Sequence, residues 1–122
     1  MRIGDSATVT RTFTAADVLS YVDMGGAAPH PGETPEPLIG ALFSYLLGVE
    51  LPGPGTNYLK QNTDHHAPAR LDAPLTATVR VVQLRPEKHL VDLETTCVDD
   101  TGTLVASGRA LVYARDVTGA FD

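Results

Sequence analysis

Two stretches of this chain hold side chains that could move protons. The segment DMGGAAPHPGETPEPLIGALF, residues 23–43, carries His30 among small residues and prolines, and Glu36 just ahead of an apolar run. The second is Asp64-His65-His66. Imidazole ionises nearest neutral pH, so His30 could serve as a general acid or base; the commoner fate of a loop histidine is plain solvation. Glu36 could set a carboxylate beside a bound electrophile, or it could simply be a first-turn glutamate answering the helix dipole. Its flanking prolines, Pro35 and Pro37, could also hold it away from a site. Strand alternation sends His65 to one face and puts Asp64 and His66 together on the other. Those two could bind a metal or act as an acid–base pair. Neighbouring strand side chains diverge, however, so a satisfied or interface histidine is the simpler reading.

The other reactive types carry less. Asp23 precedes a double glycine on what reads as a solvent face. His89 opens a strand, and Cys97 alternates onto an apolar face as a small core residue. LPGPG has the glycines of a phosphate loop but no helix after it, so it is a turn.

These side chains need a scaffold, and its bounds are clear. The chain has 122 residues, 43% of them hydrophobic and 20% charged, enough for one domain with a single core, residues 1–122. A net charge of -6 and the absence of a basic cluster argue against nucleic acid as a partner. A lone cysteine gives neither an internal disulfide nor metal-ligand spacing. The start, MRIGDSATVTRTF, lacks the apolar core of a signal peptide, and the apolar run at 37–49 is too short to cross a bilayer. A soluble, cytoplasmic protein without a membrane partner is expected.

ATVTRTF, residues 7–13, predicts a strand. TAADVLSYVDMGG then predicts a short helix, with Thr14 as N-cap, Asp17 completing a capping box, Val18, Tyr21 and Val22 on one face, and Gly25 and Gly26 ending it. Pro29, Pro31, Pro35 and Pro37 predict a loop after that helix. PLIGALFSYLLGV, residues 37–49, predicts a second helix, apolar on nearly every side and therefore enclosed. Strands are predicted at 57–66, 74–84, 88–98 and 103–114, the last three joined by short turns and so antiparallel. In the third of these Val91, Leu93, Thr95 and Cys97 share the inner face. VTGAFD at the end reads as a loose tail. One apolar helix cannot be buried by a flat sheet. The expected fold is therefore α+β: a curved antiparallel sheet wrapped around one central apolar helix, the hot-dog fold, with a roll packed on one helix as its competitor.

IGDSATVTRTFTAADVLSYV, LPGPGTNYLKQ, LRPEKHLVDLETTC, the DDTG turn and LVASGRALVYA together resemble the MaoC-like, (R)-specific enoyl-CoA hydratases over residues 3–114. The resemblance implies a hot-dog subunit that dimerises and binds an acyl thioester of CoA or of acyl carrier protein at the subunit interface. It implies addition of water to a trans-2-enoyl thioester, or its removal from the (R)-3-hydroxyacyl form; no cofactor and no metal are expected. In such proteins an aspartate and a histidine within G-D-x-N-P-x-H do the proton work, and an N–H at the start of the enclosed helix receives the thioester carbonyl.

Laid on this chain, the motif departs. Gly25 matches its glycine, Gly26 stands for the aspartate, Ala28 for the asparagine, and His30 falls one position early for the histidine. The family's next segment is mostly absent, and the helix opens Pro35-Glu36-Pro37 in place of H-G-M. The usual dyad is not intact, which leaves His30 and Glu36 as candidate catalytic residues. Three functions are consistent with this: a hydratase or dehydratase of impaired or rearranged site; a non-catalytic hot-dog subunit that binds the thioester or completes a partner's site; and a thioesterase using Glu36 or the Asp64/His66 pair. The expected assembly is a homodimer or a pairing with a related hot-dog subunit.

Overall fold

The buried residues of the strands gather with those of one apolar helix in a single core, and that helix is the centre of the fold. The computed structural model describes all 122 residues. In chain order the elements are β1 (Ser6–Thr12), α1 (Ala15–Asp23), α2 (Glu36–Tyr45), β2 (Asn57–His65), β3 (Pro74–Arg85), β4 (Leu90–Val98) and β5 (Leu104–Tyr113). The strands form one antiparallel sheet in the order β1-β3-β4-β5-β2. Its inner face is built from Leu75, Ala77, Val79 and Val81 of β3, the four inner residues predicted for β4, and Ala106, Ala110 and Val112 of β5. Outward residues of the central strands pair instead: Arg85 with Asp92 at 2.7 Å and Arg80 with Glu94 at 3.5 Å.

Against that face α2 lays Ile39, Leu42 and Phe43, and a single wider, π-helical turn over Leu46–Glu50 adds Leu46 and Leu47. Phe43 is 1% exposed, so its truncation to alanine should cost about 3–5 kcal/mol. The sheet and helix are the hot-dog arrangement that the sequence predicts.

Four details differ from expectation. The second helix begins one residue earlier, at Glu36, with Pro37 in its first turn, and its α-helical part ends at Tyr45. It is not enclosed all round: Pro37, Ala41 and Ser44 are exposed and Gly40 is half-buried, because one curved sheet covers only one side and small residues leave the other side hollow. The first helix has the expected capping box, and Gly25 and Gly26 close it through N–H groups on the Val22 and Tyr21 carbonyls, yet none of its residues is buried. The C-terminus is not loose. Ala120 is buried, its carbonyl receives the N-terminal ammonium of Met1 at 2.8 Å, and the Phe121 ring meets His89 edge-on.

Candidate active site

A groove of about 770 Å³ runs between α2 and the edge strand β2. Its helix wall is Glu36, Pro37, Gly40, Ala41 and Ser44, a stripe at helical spacing, and its strand wall includes Gln61, Thr63 and His65. From Glu36 to Ser44 the stripe is about 12 Å long at the α-helical rise. A Cβ added at Gly40 would meet nothing within 4 Å, so the floor of the groove is open space.

At the head of the groove His65 Nδ1 lies 3.2 Å from Glu36 Oε2. The His65 side chain is 27% exposed and that of Glu36 62%. Two anchors bring them together. The loop before α2 is tied to the segment after β2: Thr34 N–H donates to the Ala69 carbonyl at 2.7 Å, Leu71 N–H donates to Gly32, and Glu33 bridges to Arg70. Along β2, a bulge at Leu59 shifts the pairing with β5, so that Tyr58 faces Val112 and Lys60 faces Leu111. Past that shift Gln61 and His65 stand opposite the buried Ala110 and Ala106 and so point toward α2. Glu36 also opens the helix, and its N–H has no acceptor in the chain. A carboxylate, an imidazole and a free helix-start N–H thus share one end of the groove, which suits proton transfer beside a carbonyl.

The remaining candidates lie elsewhere. His30 is exposed, its side chain makes no hydrogen bond or ion pair, and it borders a separate hollow with Tyr21, Glu33 and Glu36. Asp64 and His66 do not meet: Asp64 has no partner, while His66 Nε2 lies 2.7 Å from Ser107 Oγ. Asp64 stands opposite Ser107 on the outer face, and His66 takes the Ser107 hydroxyl rather than the Asp64 carboxylate. No three His, Cys, Asp or Glu side chains are grouped to hold a metal ion. Asp23 ends α1 with no partner, and His89 is held edge-on against Tyr113 and Phe121. Cys97 is fully buried, and burial, with a smaller contribution from Asp99, pushes its thiol up to about 11. The Asp99 carboxyl is held below its usual range, chiefly by the Thr101 hydroxyl, with the Thr103 and Thr101 N–H groups assisting.

The chain is 32% identical over 126 residues to an (R)-specific enoyl-CoA hydratase of Aeromonas caviae, a match spanning 92% of this chain and 94% of that one. The chain belongs to the (R)-specific enoyl-CoA hydratase family. A second member, from Rhodospirillum rubrum, is 32% identical over 89% of this chain and 85% of its own. The solved (R)-hydratase of A. caviae superposes with a TM-score of 0.84 at 29% identity, over 92% of this chain and 96% of that structure. An R-hydratase structure from Pseudomonas aeruginosa, at 24% identity and a TM-score of 0.86, shares the fold. No protein-family model matches the chain. No helix is long and apolar enough to cross a membrane.

His65 is the groove residue that strand alternation does not reveal. A signal for it is present: a histidine inside a strand whose exposed neighbours are polar, near a stretch, LPGPGTNYLKQ, that is otherwise family-like.

Proposed function

We propose that this chain adds water to trans-2-enoyl thioesters and removes it from the corresponding (R)-3-hydroxyacyl thioesters, with the substrate lying in the groove between α2 and β2. One observation carries the reading: the groove begins at a free helix-start N–H beside a carboxylate–imidazole pair and continues along the small-residue stripe Gly40, Ala41 and Ser44. The thioester carbonyl sits at the Glu36 N–H, where the helix dipole and the donor stabilise negative charge as an enolate develops. The acyl chain follows the stripe. The carrier is CoA, as in the A. caviae relative's name; acyl carrier protein presents the same thioester chemistry.

The working unit is a dimer, either of two copies or with a related hot-dog subunit. Strand β2 supports this, because it is an edge with one row of backbone donors and acceptors unpaired and with Tyr58 and Leu59 exposed along it. A single unpaired cysteine suits a reducing compartment, and we place the protein in the cytoplasm. A second reading, a binding subunit that completes a partner's site, is favoured by the loop, where Gly26 stands in the aspartate position and His30 is out of step.

The test is hydration of crotonyl-CoA by the purified chain, with the stereochemistry of the product read out. Formation of (R)-3-hydroxybutyryl-CoA supports the hydratase. Folded protein that binds crotonyl-CoA without turning it over supports the binding subunit. Release of free CoA makes it a thioesterase.

A further inference from the structure

We propose that His65, with Glu36 as its positioning carboxylate, is the proton-transfer residue of this site, in place of any pair in the loop before α2. The inference rests on the acyl-thioester reading above and names the residue that does its chemistry.

Three observations converge. The bulge at Leu59 turns His65 toward α2 although regular alternation from Tyr58 would turn it away. The partner it meets there is Glu36, the residue whose N–H opens the helix. Both side chains line the groove, whereas His30 borders a different hollow and Gly26 carries no side chain. A carboxylate 3.2 Å from Nδ1 favours the tautomer with its proton on that nitrogen, which leaves Nε2 as the free base. The arrangement is otherwise hard to account for as stabilisation, since a carboxylate–imidazole contact this exposed contributes little to folding.

The step balances with water as the only co-reactant. Nε2 takes a proton from water as the water oxygen bonds to C3 of the enoyl thioester. The C2–C3 π electrons move toward the carbonyl oxygen, which accepts from the Glu36 N–H. The imidazolium then returns its proton to C2, and His65 is neutral again. Dehydration runs the same path backward.

The experiment compares wild type, His65→Ala, Glu36→Gln, His30→Ala and the control His66→Ala, each followed for crotonyl-CoA hydration and for CoA release, with thermal midpoints measured alongside. His65→Ala should lose about 10²–10⁴-fold in kcat, and free imidazole added to that variant should restore part of it. Glu36→Gln should lose kcat with KM little changed. Both should keep their thermal midpoint within about 2 °C, as an exposed pair predicts, and His66→Ala should retain wild-type turnover.

If wild type hydrates crotonyl-CoA and His65→Ala does so equally, or if the loss appears in His30→Ala instead, the dyad is overturned while the hydratase reading stands. If wild type only releases CoA, and does so through His65, the hydratase reading falls and the dyad stands. Wild type inert in both assays overturns both.

Discussion

Gly40 gives the sharpest test of whether the open side of α2 is a ligand groove or a packing surface. It lies in the middle of the helix, on the stripe that walls the groove, and an added Cβ would meet no atom within 4 Å. Nothing in the folded chain therefore opposes Gly40→Ala, and only the backbone terms remain. Alanine in a helix interior is about 0.8–1.0 kcal/mol better than glycine, mainly because the unfolded chain loses less freedom. For a 122-residue chain the unfolding entropy is roughly 0.25 kcal/mol/K, so the gain should raise the thermal midpoint by about 3–4 °C. The assay is thermal or guanidinium unfolding of the two proteins at equal concentration, with crotonyl-CoA kinetics beside it. Gly40→Leu extends the test: its side chain has room in the groove and should leave the fold intact while raising KM or abolishing turnover. A midpoint that falls in Gly40→Ala means that a partner packs directly on this face, and the groove is not where substrate lies. Unchanged kinetics in Gly40→Leu refute the groove just as clearly.

Three further outcomes are expected from the structure. Gly108 of β5 lies so close to β2 that a Cβ there would collide with the Asn62 carbonyl, so Gly108→Ala should cost about 1–3 kcal/mol in denaturant unfolding and speed hydrogen exchange selectively along β2. The Thr95 hydroxyl is buried with no partner, and Thr95→Val, which keeps the shape and removes the unsatisfied group, should gain about 1 kcal/mol by the same measurement. The thiol of Cys97 ionises at about 11 in the folded chain. In the unfolded chain it ionises near 8.5–9, so the unfolded state sheds its proton first as pH rises. Stability from this group is complete below pH ~8.5 and is lost through pH ~11, by roughly 2–3 kcal/mol, a slope that Cys97→Ala should lack.

Much of this fold is legible in the sequence because its causes are local. The capping box of Thr14 and Asp17, the glycine closure of α1 and the alternation of Val91, Leu93, Thr95 and Cys97 each depend on residues a few positions apart, and each is present. The features that differ from expectation depend on distant parts of the chain. VTGAFD has the composition of a tail, yet the Met1 ammonium and the His89 ring, from the far end and the middle of the sequence, hold it down. The apolar character of residues 37–49 does predict burial, but a one-dimensional pattern cannot say that a single sheet reaches only one side of the helix. The hollow on the other side owes its space to the small side chains of Pro37, Gly40 and Ala41.

The same reasoning explains why the site itself is half-hidden in the sequence. Glu36 stands out by its place at a helix start, but its partner does not. Alternation assigns faces relative to a chosen residue, and one extra residue in a strand exchanges the two faces beyond it. Counting from Tyr58, which faces inward opposite Val112, a regular strand would send Asp64 and His66 into the groove and His65 to solvent. The bulge at Leu59 reverses this: Lys60 turns outward, and His65 arrives opposite the buried Ala106. No residue type at Leu59 announces the bulge, since it carries neither glycine nor proline. Deleting Asn62, which lies beyond the bulge and before His65, is therefore a direct test of the assignment. If the bulge is kept, the residues after the deletion move up by one, and His65 comes opposite Ser107 and turns away from Glu36. Hydration should then fall as it does in His65→Ala even though every proposed functional side chain is still in the chain. Deleting Leu59 instead removes only the extra residue, leaves His65 opposite Ala106 and should preserve activity. A deletion variant shown to be folded, with His65 facing solvent and full activity retained, would mean that the His65–Glu36 pair has no part in the reaction.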